Sequence, residues 1–198
     1  MGQTSKYAEG LLDNFAYDYD MSCQLAVQYD EGKFKTSRFT YGSGPLVHVE
    51  DMLLHQLDEW WGYANIPPGS KIVLFANWSP CKHCIQNTIP NALNKMNVTD
   101  NNLRIRFRFN KYYTEQAWTG CGKTVRKEGG GHYFWESQEA ADSAYDTLAS
   151  IYGNCGLKNL STTTQVITSV SPRVAFIRGQ SKSRTLTTWH ETWRGKIS

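Results

Sequence analysis

The order in which strand-type and helix-type patterns follow one another constrains the fold of this chain more than any other feature. Residues 70–78, "SKIVLFANW", form a short, continuous apolar run that is typical of a strand. A helix is predicted at once after it, over residues 79–96, with Ser79 as its N-cap and Pro80 at its first position. Pro90 should kink or end that helix, because proline lacks the backbone N–H that a helix interior needs.

The same alternation continues on both sides of this unit. Residues 21–44 alternate apolar and polar side chains around an Asp-Glu-Gly turn, which predicts a β-hairpin. Helical spacing of apolar residues predicts a buried helix over residues 45–63. Further along, the patterns predict a strand at 102–110, a helix at 138–153 and two weaker strands at 164–170 and 172–178. This order predicts an α/β layer sandwich in which helices cover a sheet.

The composition fits one domain that spans residues 1–198. Hydrophobic residues make up 40% of the chain and aromatic residues 13%, enough for a substantial core. No repeat, low-complexity tract or linker divides the sequence. We therefore expect the C-terminal segment, residues 151–198, to pack on the same domain.

The charge and the cysteine content bear on partners and compartment. A formal net charge of +3 permits a polyanionic partner without requiring one. The first ten residues lack the layout of a signal peptide, and no apolar run approaches the roughly 18 residues of a membrane span. Five cysteines in a chain of this length do not suggest a disulfide scaffold. We therefore expect a monomer with reduced thiols in the cytoplasm or nucleus, without a membrane segment.

Two cysteines at the predicted helix start suggest a metal site. Cys81 and Cys84 stand three residues apart, so both thiols lie on one face of the first turn, where the helix dipole favours thiolates. His83 points away from that face and is better read as a neighbour of solvent or substrate. Cys-x-x-C alone also fits a redox pair or half of a structural zinc site. A structural site needs a second pair, however, and the other three cysteines are isolated single thiols. We expect them to pack as small hydrophobic residues: Cys23, Cys121 and Cys155.

The preceding helix offers the missing ligand. His48 and Glu50 stand at its start, and a His-Cys-Cys set leaves one zinc position open for water, as in catalytic sites. Glu50 could then remove a proton from that water and carry it to a substrate. Taken singly, His48 fits a core histidine and Glu50 a solvated charge. A fourth ligand from His55 would make the site structural, but it lies about two helical turns from His48.

These motifs resemble those of a known family. "HVE" at residues 48–50 and "WSPCKHC" at residues 78–84 resemble the zinc-dependent cytidine deaminase superfamily. The Trp-Ser before the cysteines and the segment "LRIRFRFNKYY" are similar to the AID/APOBEC branch, which includes lamprey-type cytidine deaminases. The resemblance covers roughly residues 23–150.

The resemblance implies a fold, a reaction and a set of residues. It implies a three-layer α-β-α fold with a mixed sheet of about five strands, and attack of a zinc-bound water on C4 of cytosine to give uracil. It implies zinc held by His48, Cys81 and Cys84, with Glu50 as proton shuttle. Trp78 and Tyr113 would surround the flipped cytosine. Ser79, Tyr112 and Trp118 are further candidates for substrate contact.

The predicted strand at 102–110 bears on the choice of substrate. Arg104, Arg106 and Arg108 alternate with apolar residues and would form one basic face that, with Lys111, contacts a nucleic-acid backbone. An edge strand kept soluble by charge is the equal alternative. The aromatic residues that follow could stack splayed bases. The expected partner is therefore single-stranded DNA, with RNA as an alternative.

Other segments depart from the family pattern. The family usually carries an asparagine before the His-x-Glu helix that contacts the sugar; it is absent here, and Ser43 is the candidate to replace it. Residues 114–135 do not align with the family's loop that selects the bases beside the target cytosine, so the sequence predicts no preference for those bases. Trp189 and Trp193 suggest a docking helix.

A deaminase of free cytidine or deoxycytidine and an inactive zinc-bearing interaction module remain alternative functions.

Overall fold

The computed structural model describes residues 22–31, 33–40, 48–125, 132–153 and 173–178. Several predictions lie outside these ranges: those on Ser43, Cys155, the strand at 164–170, Trp189 and Trp193.

Five strands form one mixed sheet in the described part of the chain. Their bounds are Ser22–Asp30 (β1), Lys33–Thr40 (β2), Lys71–Trp78 (β3), Arg104–Lys111 (β4) and Val174–Arg178 (β5). They are ordered β2-β1-β3-β4-β5. β1 runs antiparallel to β2 and to β3, whereas β3, β4 and β5 are parallel. The predicted hairpin and the α/β class are confirmed.

The strand register brings several chain segments to one edge of the sheet. Trp78 pairs with Lys111, so β3 and β4 end side by side at what we call the carboxyl edge. β1 runs the other way, and its pairing of Cys23 with Ala76 puts its start at the same edge. Open α/β sheets commonly carry their ligand sites where the parallel strands end.

Four helices accompany the sheet within the described ranges. Their bounds are Val49–Trp61 (α1), Ile89–Lys95 (α2), Glu115–Gly120 (α3) and Gln138–Ile151 (α4). The short helix α3 was not predicted. The mixed sheet and these helices are consistent with the predicted three-layer α-β-α fold. Among the described residues, no helix combines the length and the apolarity needed to cross a membrane.

The helix after β3 starts later than predicted. Its first helical residue is Lys82, and Ser79 is not its N-cap. Instead the Ser79 hydroxyl accepts a hydrogen bond from the Tyr113 backbone N–H at 2.9 Å. Pro90 does not end the helix, because a π-turn over Cys84–Thr88 precedes α2 and widens the backbone where a proline ring would otherwise meet a carbonyl.

One face of the sheet and three helices share a core. Leu53 and Leu57 of α1 are fully buried in the same cluster as Leu25 and Leu74 of the sheet. Tyr145 of α4 stacks on Phe176 of β5 with ring centroids 4.8 Å apart. Burial of such side chains contributes about 1.5–3 kcal/mol each and fixes the helices against the sheet. The start of α1 is thereby held near the carboxyl edge.

The prediction that the arginines of β4 form an exposed basic face is wrong for two of the three. Arg106 is 5% exposed and Arg108 is 3% exposed. Their register partners on the same sheet face are also buried, so this face is covered and not open to solvent: Val73, Phe75, Ala175 and Ile177. β4 lies between β3 and β5, so the edge-strand alternative is wrong as well. The Arg106 guanidinium donates to the backbone carbonyls of Ile105 and Arg173. Burial lowers the pKa of Arg108 to about 10.

Candidate metal centre

The candidate site is built by two segments that meet at the carboxyl edge. β3 ends at Trp78, and the chain passes through Ser79 and Pro80 to Cys81 and Cys84. α1 begins at Val49 with His48 as its N-cap residue in an extended conformation. Thirty-three residues separate His48 from Cys81 along the chain, yet their side chains are in contact.

Three donor atoms converge in this place. The ligand atoms of His48, Cys81 and Cys84 all lie within 4.8 Å of one another, and His48 Nδ1 is 3.3 Å from Cys81 Sγ. Zinc–sulfur bonds of about 2.3 Å and zinc–nitrogen bonds of about 2.0–2.1 Å place tetrahedral ligands roughly 3.5–3.8 Å apart. Two thiols and an imidazole are also donors that zinc prefers. The cluster therefore fits a zinc ion.

Glu50 lies against this cluster. Its side chain is only 7% exposed, and Cys84 Sγ donates a hydrogen bond to its Oε2 atom at 3.3 Å. Burial, together with the nearby charge of Cys81, raises the pKa of Glu50 to about 7. Helical geometry explains the approach, because Glu50 follows His48 by two residues and lies in the first turn of α1. A buried carboxyl beside a metal ligand can accept or donate a proton there.

The two thiols have opposite electrostatic environments. Hydrogen bonds from Cys84 and His48 lower the pKa of Cys81 to about 5, despite its burial. The same contact with Cys81, together with burial, raises the pKa of Cys84 well above its usual range. The hydrogen bond to Cys81 also raises the pKa of His48. Metal binding must displace the proton from Cys84, so metal affinity and proton release are coupled.

The other candidate ligands lie elsewhere. His55 projects into solvent, with 71% of its side chain exposed, and its Nε2 atom lies 3.4 Å from Glu59. It therefore does not close the coordination sphere. Cys23 is buried in the core, as predicted for a small hydrophobic residue. Cys121 is exposed, and the expectation that it would be packed is wrong.

Hydrogen bonds anchor the segment that carries the cysteines. The backbone carbonyl of Pro80 accepts from the indole of Trp135 at 2.8 Å and from the hydroxyl of Tyr145 at 2.7 Å. The backbone N–H of Ser79 donates to the Lys111 carbonyl at 2.8 Å. Both donors to Pro80 are buried. The residue before Cys81 is thus fixed from two directions, which holds the thiol in place.

An aromatic cluster lies at the same carboxyl edge as the metal ligands. Trp78, Tyr113 and Trp118, three of the predicted substrate contacts, are mutual neighbours, with centroids separated by 5.2–6.1 Å. Two residues that the sequence had not singled out complete it. The Phe134 ring lies 4.6 Å from the Tyr113 ring, and His132 lies 5.3 Å from Trp118. We call these five residues the aromatic cluster.

Two further rings surround His48. The His83 ring stacks on the His48 ring at 5.2 Å, and Tyr133 lies 5.2 Å from His83 and 5.9 Å from His48. His83 is absent from the group of converging donor atoms, as expected for a neighbour and not a ligand. Tyr133 is 46% exposed. These rings form a partly open rim beside the metal ligands.

The other residues that were predicted to contact substrate or nucleic acid lie in different parts of the structure. Tyr112 is 3% exposed and hydrogen-bonds to Asp142 at 2.5 Å, which places this predicted substrate contact in the core. Lys111 is half-buried, with its ammonium 5.4 Å from the centre of the Trp78 ring. Arg104 pairs with Lys71 at the opposite end of the parallel strands, roughly 23 Å along β4 from the carboxyl edge.

The sequence interpretation missed His132, Tyr133 and Phe134. They belong to the segment that did not align with the resembled family. A signal was available, since four consecutive residues at 132–135 carry aromatic or imidazole rings directly after a glycine run. Only long-range contacts, such as the backbone bond from Trp135 to Tyr113, assign them to this site.

Comparison with known proteins assigns no family to the chain. No protein-family model matches the sequence, and no curated protein matches it significantly. The finding that the structure contributes is a His-Cys-Cys cluster positioned for metal binding within an α/β fold.

Proposed function

We propose that this protein is a zinc-dependent cytosine deaminase that converts cytosine to uracil in single-stranded DNA. The observation that carries the proposal is the convergence of His48, Cys81 and Cys84 with the buried carboxyl of Glu50 beside them. Three ligands leave one position of a tetrahedral zinc open, which is the arrangement of catalytic sites. A carboxyl group beside these ligands supplies the proton transfers that hydrolytic deamination requires.

Zinc held in this site would lower the pKa of water towards neutrality and so supply a nucleophile. Glu50 then has two tasks: it takes a proton from the attacking water and delivers a proton to the leaving amino group at C4. The products are uracil and ammonia. Without a bound ion, burial raises the pKa of the Glu50 carboxyl to about 7, so burial favours the protonated form that the second task needs. A nearby zinc ion would favour the carboxylate that the first task needs.

The aromatic cluster supports a base within a polymer as the substrate. Tyr113 and Trp118 are half-buried and pack against the buried Trp78 at the carboxyl edge, where the metal ligands also lie. Stacking on such rings contributes about 1–3 kcal/mol for each base. Lys111 and Lys123 bring positive charge to the same cluster, 5.4 Å from the Trp78 ring and 4.8 Å from the Trp118 ring. Arg106 and Arg108 of β4 are buried and do not supply charge to a bound strand. A base must leave the duplex to be modified, so a single strand is preferred.

A substrate panel tests the proposal. Purified protein is incubated with labelled single-stranded DNA, single-stranded RNA, duplex DNA, cytidine and deoxycytidine, and the uracil or uridine formed is quantified in each. We expect the single-stranded DNA to react fastest. Equal or faster turnover of free deoxycytidine would favour the nucleoside deaminase, and no turnover with bound zinc would favour the inactive interaction module.

A further inference from the structure

His132 is in contact with the residue on which the substrate is expected to stack. Its Nδ1 atom lies 2.7 Å from the Tyr113 hydroxyl oxygen, a short hydrogen-bond distance. The His132 ring also stacks on Phe134, with centroids 4.7 Å apart and an interplanar angle of 8°. The imidazole is therefore held by a parallel ring contact while its nitrogen faces the phenol.

The rest of Tyr113 is fixed by other contacts. Its backbone N–H donates to the Ser79 hydroxyl at 2.9 Å, and its carbonyl accepts from the Trp135 N–H at 2.9 Å. Its ring meets Trp78 and Trp118 edge-on, at interplanar angles of 78° and 79°. The Phe134 ring lies 4.6 Å from it. These ring contacts do not engage the hydroxyl group. The bond to His132 holds the far end of the side chain.

We propose that His132 is a positioning residue: its Nδ1 atom accepts a hydrogen bond from the Tyr113 hydroxyl and holds the ring in the orientation in which a base stacks. This inference rests on the proposed function of Tyr113 as a stacking residue. It has a chemical consequence. The Tyr113 hydroxyl is engaged by the protein, so the ring contributes to base binding through its π surface and not by donating a hydrogen bond to the nucleic acid.

A double-mutant cycle tests the inference. Fluorescence anisotropy measures the Kd of a labelled single-stranded oligonucleotide for the wild type, His132→Phe, Tyr113→Phe and the double variant. Each single variant keeps its ring and loses the hydrogen bond, so we expect Kd to rise about three- to tenfold in each. The double variant should bind no more weakly than either single variant, because both changes remove the same bond.

Further variants separate the hydrogen bond from the ring stack. His132→Asn keeps an acceptor near the position of Nδ1 but loses the ring, and should bind within about twofold of the wild type. His55→Phe removes an exposed histidine from α1 and should leave Kd unchanged. In steady-state assays, KM should rise in His132→Phe while kcat changes less than about twofold, as expected for lost ground-state binding.

An NMR readout makes the inference independent of activity. The ¹⁵N shift of His132 Nδ1 in the wild type should report an acceptor nitrogen, and this signature should change in Tyr113→Phe. A wild-type shift that does not report an acceptor nitrogen would overturn the inference. So would a double variant whose loss of affinity equals the sum of the two single losses, or a His132→Phe variant with the Kd of the wild type. If His132→Phe fails to fold, the Kd values of Tyr113→Phe and His132→Asn still show whether the hydrogen bond to Tyr113 or the ring stack on Phe134 matters for binding. A wild type that binds no oligonucleotide would overturn the proposed function and the positioning role together.

Discussion

Glu50 is the one glutamate of the described residues whose side chain is buried. Burial of a charged carboxylate lowers the stability of the folded state unless the group is paired or hydrogen-bonded. Here burial raises the pKa of Glu50 to about 7. It lies within 3.3 Å of a candidate metal ligand. At the scale of single residues, burial and contact distinguish this group from the solvated helix charge that the sequence alone allowed.

Cys84→Ser tests the ligand set. A serine hydroxyl is a poor zinc ligand at neutral pH, so the variant should contain less than about one tenth of the zinc of the wild type. Elemental analysis of protein purified without added metal measures this directly. Cys121→Ser is the matched control, because Cys121 is exposed and lies outside the cluster. Unchanged zinc in Cys84→Ser would reject the site.

Tyr113→Ala tests the stacking role. Removal of the ring should cost about 1–3 kcal/mol of base stacking, which corresponds to a rise in Kd of roughly 5- to 150-fold for a single-stranded oligonucleotide. Tyr63→Ala serves as the control, since Tyr63 lies in a short helical turn after α1 and outside the aromatic cluster. Equal affinity in the two variants would contradict the role.

At the scale of elements, the sequence predicted most of the sheet and three of the four described helices. Strands and helices that are buried on one side carry apolar residues at every second position or at a period of 3.6, and this periodicity is visible in the sequence. The sequence did not show which strands lie in the interior of the sheet. The alternating arginines of β4 suggested an exposed face, yet two of them are buried together with the neighbouring side chains of β3 and β5 on that face.

The candidate site was predictable for a similar reason. His48, Glu50, Cys81 and Cys84 belong to two short motifs with fixed spacing, and the fold brings the motifs together. The positions of His132 and Phe134 depend on how residues 132–136 cross the carboxyl edge. That path is set by long-range contacts, including the ion pair between Lys82 and Glu136. Local spacing carries no information about such contacts.

Arg108→Ala tests the interior position of β4. The change removes a buried side chain, so the free energy of unfolding should fall by about 1–3 kcal/mol in urea denaturation. The slope of log Kd against log salt for oligonucleotide binding should stay the same, since a buried arginine neutralises no phosphate. Arg104→Ala, at a half-buried position, should change stability by less than about 0.5 kcal/mol. A flatter salt slope in Arg108→Ala would restore the basic-face hypothesis.

At the scale of the whole molecule, the metal ligands join distant parts of the chain. Zinc would tie the start of α1 to the segment after β3 and so stabilise the folded state against unfolding. With free zinc at 100 times its Kd, the stabilisation is about 2.7 kcal/mol. For a chain of this size, a chelator should therefore lower Tm by roughly 5–10 °C. Cys84→Ser should show no such response, and a chelator-insensitive wild type would contradict the prediction.

The most direct test of the central claim measures zinc and uracil in the same samples of wild type and Glu50→Gln. The amide copies the shape of the carboxylate but cannot shuttle a proton. We expect about one zinc per chain in both proteins, since Glu50 is not a ligand in this account. Uracil should form from single-stranded DNA with the wild type and with Glu59→Gln, an exposed control on the same helix, but not with Glu50→Gln. Substantial deamination by zinc-loaded Glu50→Gln, or none by the zinc-loaded wild type, would contradict the account.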